Sequence, residues 1–136
     1  MFIAKMEWKT RRNVLWIKLL LPHCKYIMTS DSDTLYETHA VTELVKVMEY
    51  DAHIGAVGGN VKIQNVGESF ITFLSHVRYT LAFALERACQ SVFGSVVCIS
   101  GPLGMYRASL LSQCLHLWSE QKFLGVYCSF GDDRHL

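Results

Sequence analysis

Tyr26-Ile27-Met28-Thr29-Ser30-Asp31-Ser32-Asp33-Thr34 is a short, largely apolar run that ends in two acids one residue apart. A run of this kind reads as a buried strand of a parallel sheet, and open α/β sheets bind ligands just beyond the carboxyl ends of such strands. Carboxylates at i and i+2 in that position suit a hard divalent cation, because Mg²⁺ is commonly shared between one or two carboxylates and substrate phosphates. One reading is therefore a nucleotide-diphosphate site with a metal. The other is structural: Asp and Ser open turns and cap helices, so Asp33 or Thr34 would cap the helix that follows. Taken alone, the stretch favours the capping reading.

Working outward, Val41, Leu44, Val45 and Met48 recur at i, i+3, i+4 and i+7, which predicts a helix from about Tyr36 to Tyr50. Residues 54–63 read as one or two strands with a glycine-permitted bend at Gly58-Gly59, and the G-x-G-x-x-G spacing of a dinucleotide fold is absent. Upstream, residues 8–21 suit a helix ended by Pro22 and His23, before a strand at 25–30. Lys5, Lys9, Arg11, Arg12 and Lys18 crowd near the N-terminus, a cluster suited to phosphate.

Downstream, Asn65-Val66-Gly67-Glu68 is turn chemistry and Ser69 caps a predicted helix to about Gln90. Phe70, Leu74, Val77, Leu81 and Leu85 make its stripe, but Ile71, Phe73, Tyr79 and Phe83 lie off it. Such a helix needs cover on two sides, as a central core helix would have, or rests on something outside the chain. A β-branched run from Phe93 to Ile99 leads into the tight loop Ser100-Gly101-Pro102-Leu103-Gly104, and Met105 to Trp118 carries Leu111, Cys114, Leu115 and Trp118 on one helical face. The chain then reaches a second acidic pair in Gly131-Asp132-Asp133-Arg134-His135-Leu136, which α/β loop topology can bring to the first in space.

With 136 residues, 51% hydrophobic and 18% charged, the composition is that of one globular domain or a piece of a larger one. Its 13 basic and 12 acidic side chains give a net charge of +1, so no bulk attraction to nucleic acid is expected. Five cysteines without C-x-x-C spacing suggest neither zinc nor a disulfide framework and fit a reducing compartment. Lys18 interrupts one apolar run and His76 with Arg78 another, so no transmembrane segment and no secretory signal is expected.

Asp31-Ser32-Asp33-Thr34, Gly55-Ala56-Val57-Gly58-Gly59, Arg87-Ala88-Cys89-Gln90-Ser91, Cys98 to Arg107 and Cys128 to Leu136, in that order, resemble the central catalytic region of the hyaluronan synthases. These are processive family-2 glycosyltransferases related to chitin and cellulose synthases. The resemblance covers nearly the whole chain. It implies an α/β fold: an incomplete GT-A-type, Rossmann-like domain over residues 1–136 with a mixed, mostly parallel sheet. It also implies an enzyme that passes N-acetylglucosamine and glucuronic acid from UDP-sugars to a growing hyaluronan polymer with Mg²⁺ or Mn²⁺. By the same resemblance Asp31 and Asp33 bind the UDP-sugar, with Asp33 on the metal, and Asp133, or less favourably Asp132, is the catalytic base. Arg11 and Arg12 lie near UDP, while Cys98, Ser100, Gly101, Pro102, Leu103, Gly104 and Arg134 lie toward the acceptor.

The chain departs from the family where Lys9 and Thr10 replace two glycines, where Asn60 replaces an acid, and at Glu37-Thr38-His39. The family's uridine-binding strand is expected upstream of Met1, and its Gln-x-x-Arg-Trp motif and channel helices downstream of Leu136. Residues 1–136 are accordingly expected to be a cytoplasmic part of a plasma-membrane enzyme, inactive alone, and a homo-oligomer is compatible with this. A chitin or chitooligosaccharide synthase is the alternative enzyme. A remnant that only binds UDP or associates with intact synthase is the non-enzyme reading.

Overall fold

The computed structural model describes residues 2–5, 21–31, 33–120 and 122–127. Its elements in chain order are β1 (Phe2–Lys5), β2 (Tyr26–Ser30), α1 (Ala40–Tyr50), β3 (Ala56–Gly58), α2 (Phe70–Thr80), a π-helical stretch (Leu81–Arg87), α3 (Ala88–Val92), β4 (Gly104–Arg107), α4 (Ala108–Ser119) and a hairpin of β5 (Lys122–Phe123) and β6 (Val126–Tyr127). The predicted helix over 8–21 falls mostly outside the described residues; at its end Leu21–His23 form one 3₁₀ turn. The chain divides into two compact units, Met1–Gly59 with Cys98–Leu136, and Asn60–Val97.

The first unit is built on a four-stranded sheet of order β1-β2-β4-β3. All five residues of β2 are buried, as its apolar run predicts for a strand with neighbours on both edges. β1 runs parallel to β2, with Phe2 opposite Ile27, whereas β4 is antiparallel to both β2 and β3, with Met105 opposite Met28 and Val57. The sheet is thus short and mixed, and the expectation of a mostly parallel sheet is corrected: two of the three described pairings within this sheet are antiparallel. The reason is local. The crossover through α1 leaves a gap between β2 and β3, and a turn at Ser100–Leu103, where the Leu103 amide donates to the Ser100 carbonyl at 3.3 Å, reverses the chain into that gap.

The same turn corrects the assignment of Met105, Tyr106 and Arg107 to a helix start. These residues belong to β4, and the helix begins only at Ala108. Once begun, α4 buries Leu111 and Leu115 as expected, together with Ala108, but Cys114, expected on the same face, is exposed. α1 buries Leu44 and Met48 and half-buries Val41 and Val45. Ile27, Met28, Met48, Met105 and Leu115 form the driest part of the core. Thr29 and Ser30 are buried yet satisfied, through Thr29 Oγ1 donating to the Gly104 carbonyl at 3.4 Å and Ser30 Oγ to the Asp31 carbonyl at 2.8 Å.

Gly59 does not serve the expected bend. Its φ lies outside the left-handed region, and its need is spatial, because a Cβ there would overlap the side chain of buried Leu103. The backbone closes over that contact, with the Gly59 amide donating to the Leu103 carbonyl at 2.9 Å.

In the second unit Ser69 caps α2 as predicted, accepting from the Thr72 amide at 3.1 Å while Thr72 Oγ1 accepts from the Ser69 amide at 3.0 Å. The helical path continues through the π-helical stretch into α3 and ends at a turn where Gly94 takes φ 71°. The reading as a central core helix is corrected: no residue of this helical run is buried, and Phe70 and Ile71 are 73% and 75% exposed. Residues 93–99, read as a β-branched run, form no strand.

Candidate active site

β2 delivers Asp31 one residue beyond its carboxyl end, and Asp33 follows in a turn in which the Thr34 amide donates to the Asp31 carbonyl at 3.4 Å. Both carboxylate residues are exposed. The structural alternative, that Asp33 or Thr34 caps the next helix, fails. α1 begins at Ala40, its N-cap is His39, and no side chain caps it.

The antiparallel register puts a second segment at the same end of the sheet. Thr29 pairs with Gly104, so the turn that precedes β4 lies beside the residues that follow β2. The approach is close: a Cβ built on Gly101 would stand 3.5 Å from Asp31 Oδ1 and 3.9 Å from Oδ2. Two stretches far apart in sequence therefore lie side by side.

Within the loop the predicted residues divide by environment. Ser100, Gly101 and Pro102 are half-buried, as is Cys98, whereas Leu103 and Gly104 are buried. Gly104 has a packing role as the first residue of β4, since a Cβ there would meet Ile99 at 2.9 Å, Thr29 Oγ1 at 3.0 Å and the Tyr106 ring at 3.2 Å. Arg11, Arg12, Asp132, Asp133 and Arg134 lie outside the described residues.

Sequence reasoning missed Tyr36. Burial pushes its phenol above the ordinary value of 10.0, and the nearby charge of Asp31 adds to the shift. The residue is 36% exposed, and its aromatic hydroxyl feels the charge of the first acid. Its only sequence signal was an aromatic residue in a polar turn.

Arg107, part of the loop that carried the resemblance, works elsewhere. Its Nε donates to the Ile54 carbonyl at 3.0 Å and its Nη2 to the carbonyls of Met48 at 2.8 Å and Asp51 at 3.2 Å. A cavity of about 510 Å³ lined by Cys24, Lys25, Arg107, Ser109 and Ser112, among others, also lies at the opposite end of β2 from the acids.

Among the described residues no three His, Cys, Asp or Glu side chains converge as a complete metal cage. The donor chemistry nevertheless fits Mg²⁺ or Mn²⁺ held jointly with phosphate, because Asp31 and Asp33 are exposed hard oxygen donors. No helix among the described residues is long and apolar enough to cross a membrane.

The chain is 54% identical to hyaluronan synthase 3 of Homo sapiens over 132 residues, which are 96% of this chain and 24% of that protein. It is 52% identical to hyaluronan synthase 2 of Xenopus laevis and of Gallus gallus over the same shares. The chain thus spans about a quarter of the length of the curated relatives it matches. A family model described as chitin synthase matches residues 2–124, and over that span, which contains both the acids after β2 and the loop before β4, the chain belongs to the chitin synthase family.

Proposed function

We propose that residues 1–136 form part of the GT-A-type catalytic domain of a hyaluronan synthase, a glycosyltransferase that adds N-acetylglucosamine and glucuronic acid from UDP-sugars to a growing hyaluronan polymer. The observation that carries this is the approach of Gly101 to Asp31, which joins the two motif segments at the carboxyl end of β2, where an α/β sheet takes its ligand. Similarity to hyaluronan synthases over 96% of the chain supports the substrate class.

In this reading Asp33, with Asp31, holds Mg²⁺ or Mn²⁺ on the diphosphate, and Arg11 and Arg12 lie near UDP. The metal supplies charge neutralisation for the departing UDP. Asp133, with Asp132 as the less favoured alternative, accepts the proton of the acceptor hydroxyl. The freed oxygen then bonds to the anomeric carbon as the bond from that carbon to the UDP oxygen breaks, with inversion. Cys98, Ser100, Gly101, Pro102, Leu103, Gly104 and Arg134 form the acceptor side. The complete enzyme works at the plasma membrane with this region on the cytoplasmic side, and as a homo-oligomer if subunits associate.

The family match favours one second reading, a chitin or chitooligosaccharide synthase that uses UDP-N-acetylglucosamine alone. Product analysis of the full-length protein decides between them. The hyaluronan reading expects polymer only when UDP-N-acetylglucosamine and UDP-glucuronic acid are both present, and polymer from the first donor alone overturns it.

A further inference from the structure

Both hydroxyls of β2 are buried, and they serve different ends. Thr29 Oγ1 donates across the sheet to the Gly104 carbonyl at 3.4 Å, which ties β2 to β4. Ser30, 6% exposed at the last position of the strand, turns its hydroxyl along the chain instead and donates to the Asp31 carbonyl at 2.8 Å. That carbonyl also accepts from the Thr34 amide at 3.4 Å, the bond that closes the turn holding Asp33. One oxygen is thus held from the strand side and from the turn side.

The two bonds are unequal. At 2.8 Å the hydroxyl bond has the usual length of an O–H···O contact, whereas an N–H···O bond of 3.4 Å is long. Water competes poorly for a donor as buried as Ser30, so its bond is the firmer hold. Orienting the Asp31 carbonyl sets the plane of the peptide that leaves Asp31, and hence the direction in which the chain carries Asp33. An ion of the Mg²⁺ class demands near-ideal octahedral geometry, so two carboxylates that share one depend on the backbone between them. Resting on the proposed donor site, we infer that Ser30 is a positioning residue for that site: its buried hydroxyl fixes the turn that presents Asp31 and Asp33 to the metal and the diphosphate. Ser30 acts through the Asp31 carbonyl and needs no contact with either ligand.

The test is UDP binding to the full-length protein by calorimetric titration, with and without Mn²⁺, for the parent, Ser30→Ala, Thr29→Val and Asp33→Asn. Thr29→Val removes the neighbouring buried hydroxyl while keeping the side chain's shape, and so reports what a weakened β2 does by itself. Ser30→Ala is expected to lower Mn²⁺-dependent UDP affinity about three- to tenfold, the range expected for one hydrogen bond, with metal-free UDP affinity unchanged. Thr29→Val should bind as the parent does under both conditions. Parent-like binding by Ser30→Ala while Asp33→Asn binds poorly overturns the inference and leaves the donor site standing. Equal losses with and without Mn²⁺ in Ser30→Ala, or a matching loss in Thr29→Val, also overturn it, because the serine would then serve the strand and not the site. Parent-like binding by Asp33→Asn removes the donor site, and the inference falls with it.

Discussion

Arg107 shows how a residue can carry a family motif without touching substrate. Its guanidinium stands 5.4 Å over the Tyr26 ring and donates to three main-chain carbonyls, at Met48, Asp51 and Ile54, two of them at the end of α1. A cation there also opposes the negative end of the helix dipole. Arg107→Ala leaves those carbonyls without their donor and should cost about 2–4 kcal/mol in urea unfolding. Arg107→Lys should recover little of this, because one ammonium cannot reproduce the planar fork. Beside it, Lys25 meets Glu49 at 2.5 Å and Tyr26 donates to the same carboxylate at 2.9 Å. The Lys25 hydrogen bond is the main reason the Glu49 carboxyl lies below its ordinary 4.5, with Tyr26 second, and the Lys25 ammonium is correspondingly raised above 10.5. The signs differ. The Glu49 contribution is present above pH 4.5 and fades as pH falls through its lowered value, whereas that of Lys25 is present below pH 10.5 and fades as pH rises through its raised one. Lys25→Met should move the Glu49 midpoint back toward 4.5 in a carboxyl-carbon NMR titration, with little change in stability at neutral pH because both groups are exposed.

Among the elements, the β5–β6 hairpin stores a small strain. Its two turn residues both take positive φ, 50° at Leu124 and 82° at Gly125, which matches the twist of the strands but suits glycine or asparagine at both positions. Leu124 is 89% exposed and gains nothing from packing in return. Leu124→Asn should raise stability by about 0.5–1 kcal/mol, seen as a higher urea midpoint with an unchanged slope. Elements set by local pattern were legible before the structure: the apolar run of β2, the Leu44–Met48 stripe of α1 and the Ser69 cap of α2 each express a short-range rule. β4 was not, because Met105-Tyr106-Arg107 runs without a breaker into the periodic Leu111–Leu115 segment, and only pairing with β2 and β3 makes it a strand. Gly59 was misread for the same reason, since its constraint is Leu103, far along the chain. At the site, the two acids were visible as a pattern, but the rejection of the capping alternative needed the start of α1 at Ala40, and the neighbour Gly101 needed the antiparallel register.

At the scale of the whole molecule, the proposed mechanism assigns two jobs to two acidic pairs, and the assignments are separable because binding and proton transfer fail differently. Asp33 lies in the exposed turn after β2, whereas Asp133 owes its role to the resemblance alone. Replacing a carboxylate by an amide keeps its shape but removes a charge and a basic oxygen. Asp33→Asn should therefore weaken Mn²⁺-dependent UDP binding by at least tenfold, because a neutral amide is a poor partner for a hard cation. Asp133→Asn should bind UDP nearly as the parent does and yet transfer sugar at least about 100-fold more slowly, the range expected when a general base is lost. Titration calorimetry and radiolabelled-sugar incorporation on the same full-length preparations read the two quantities independently. If Asp133→Asn loses UDP binding while Asp33→Asn binds normally and loses transfer, the two roles are exchanged, and the acids after β2 belong to the proton chemistry.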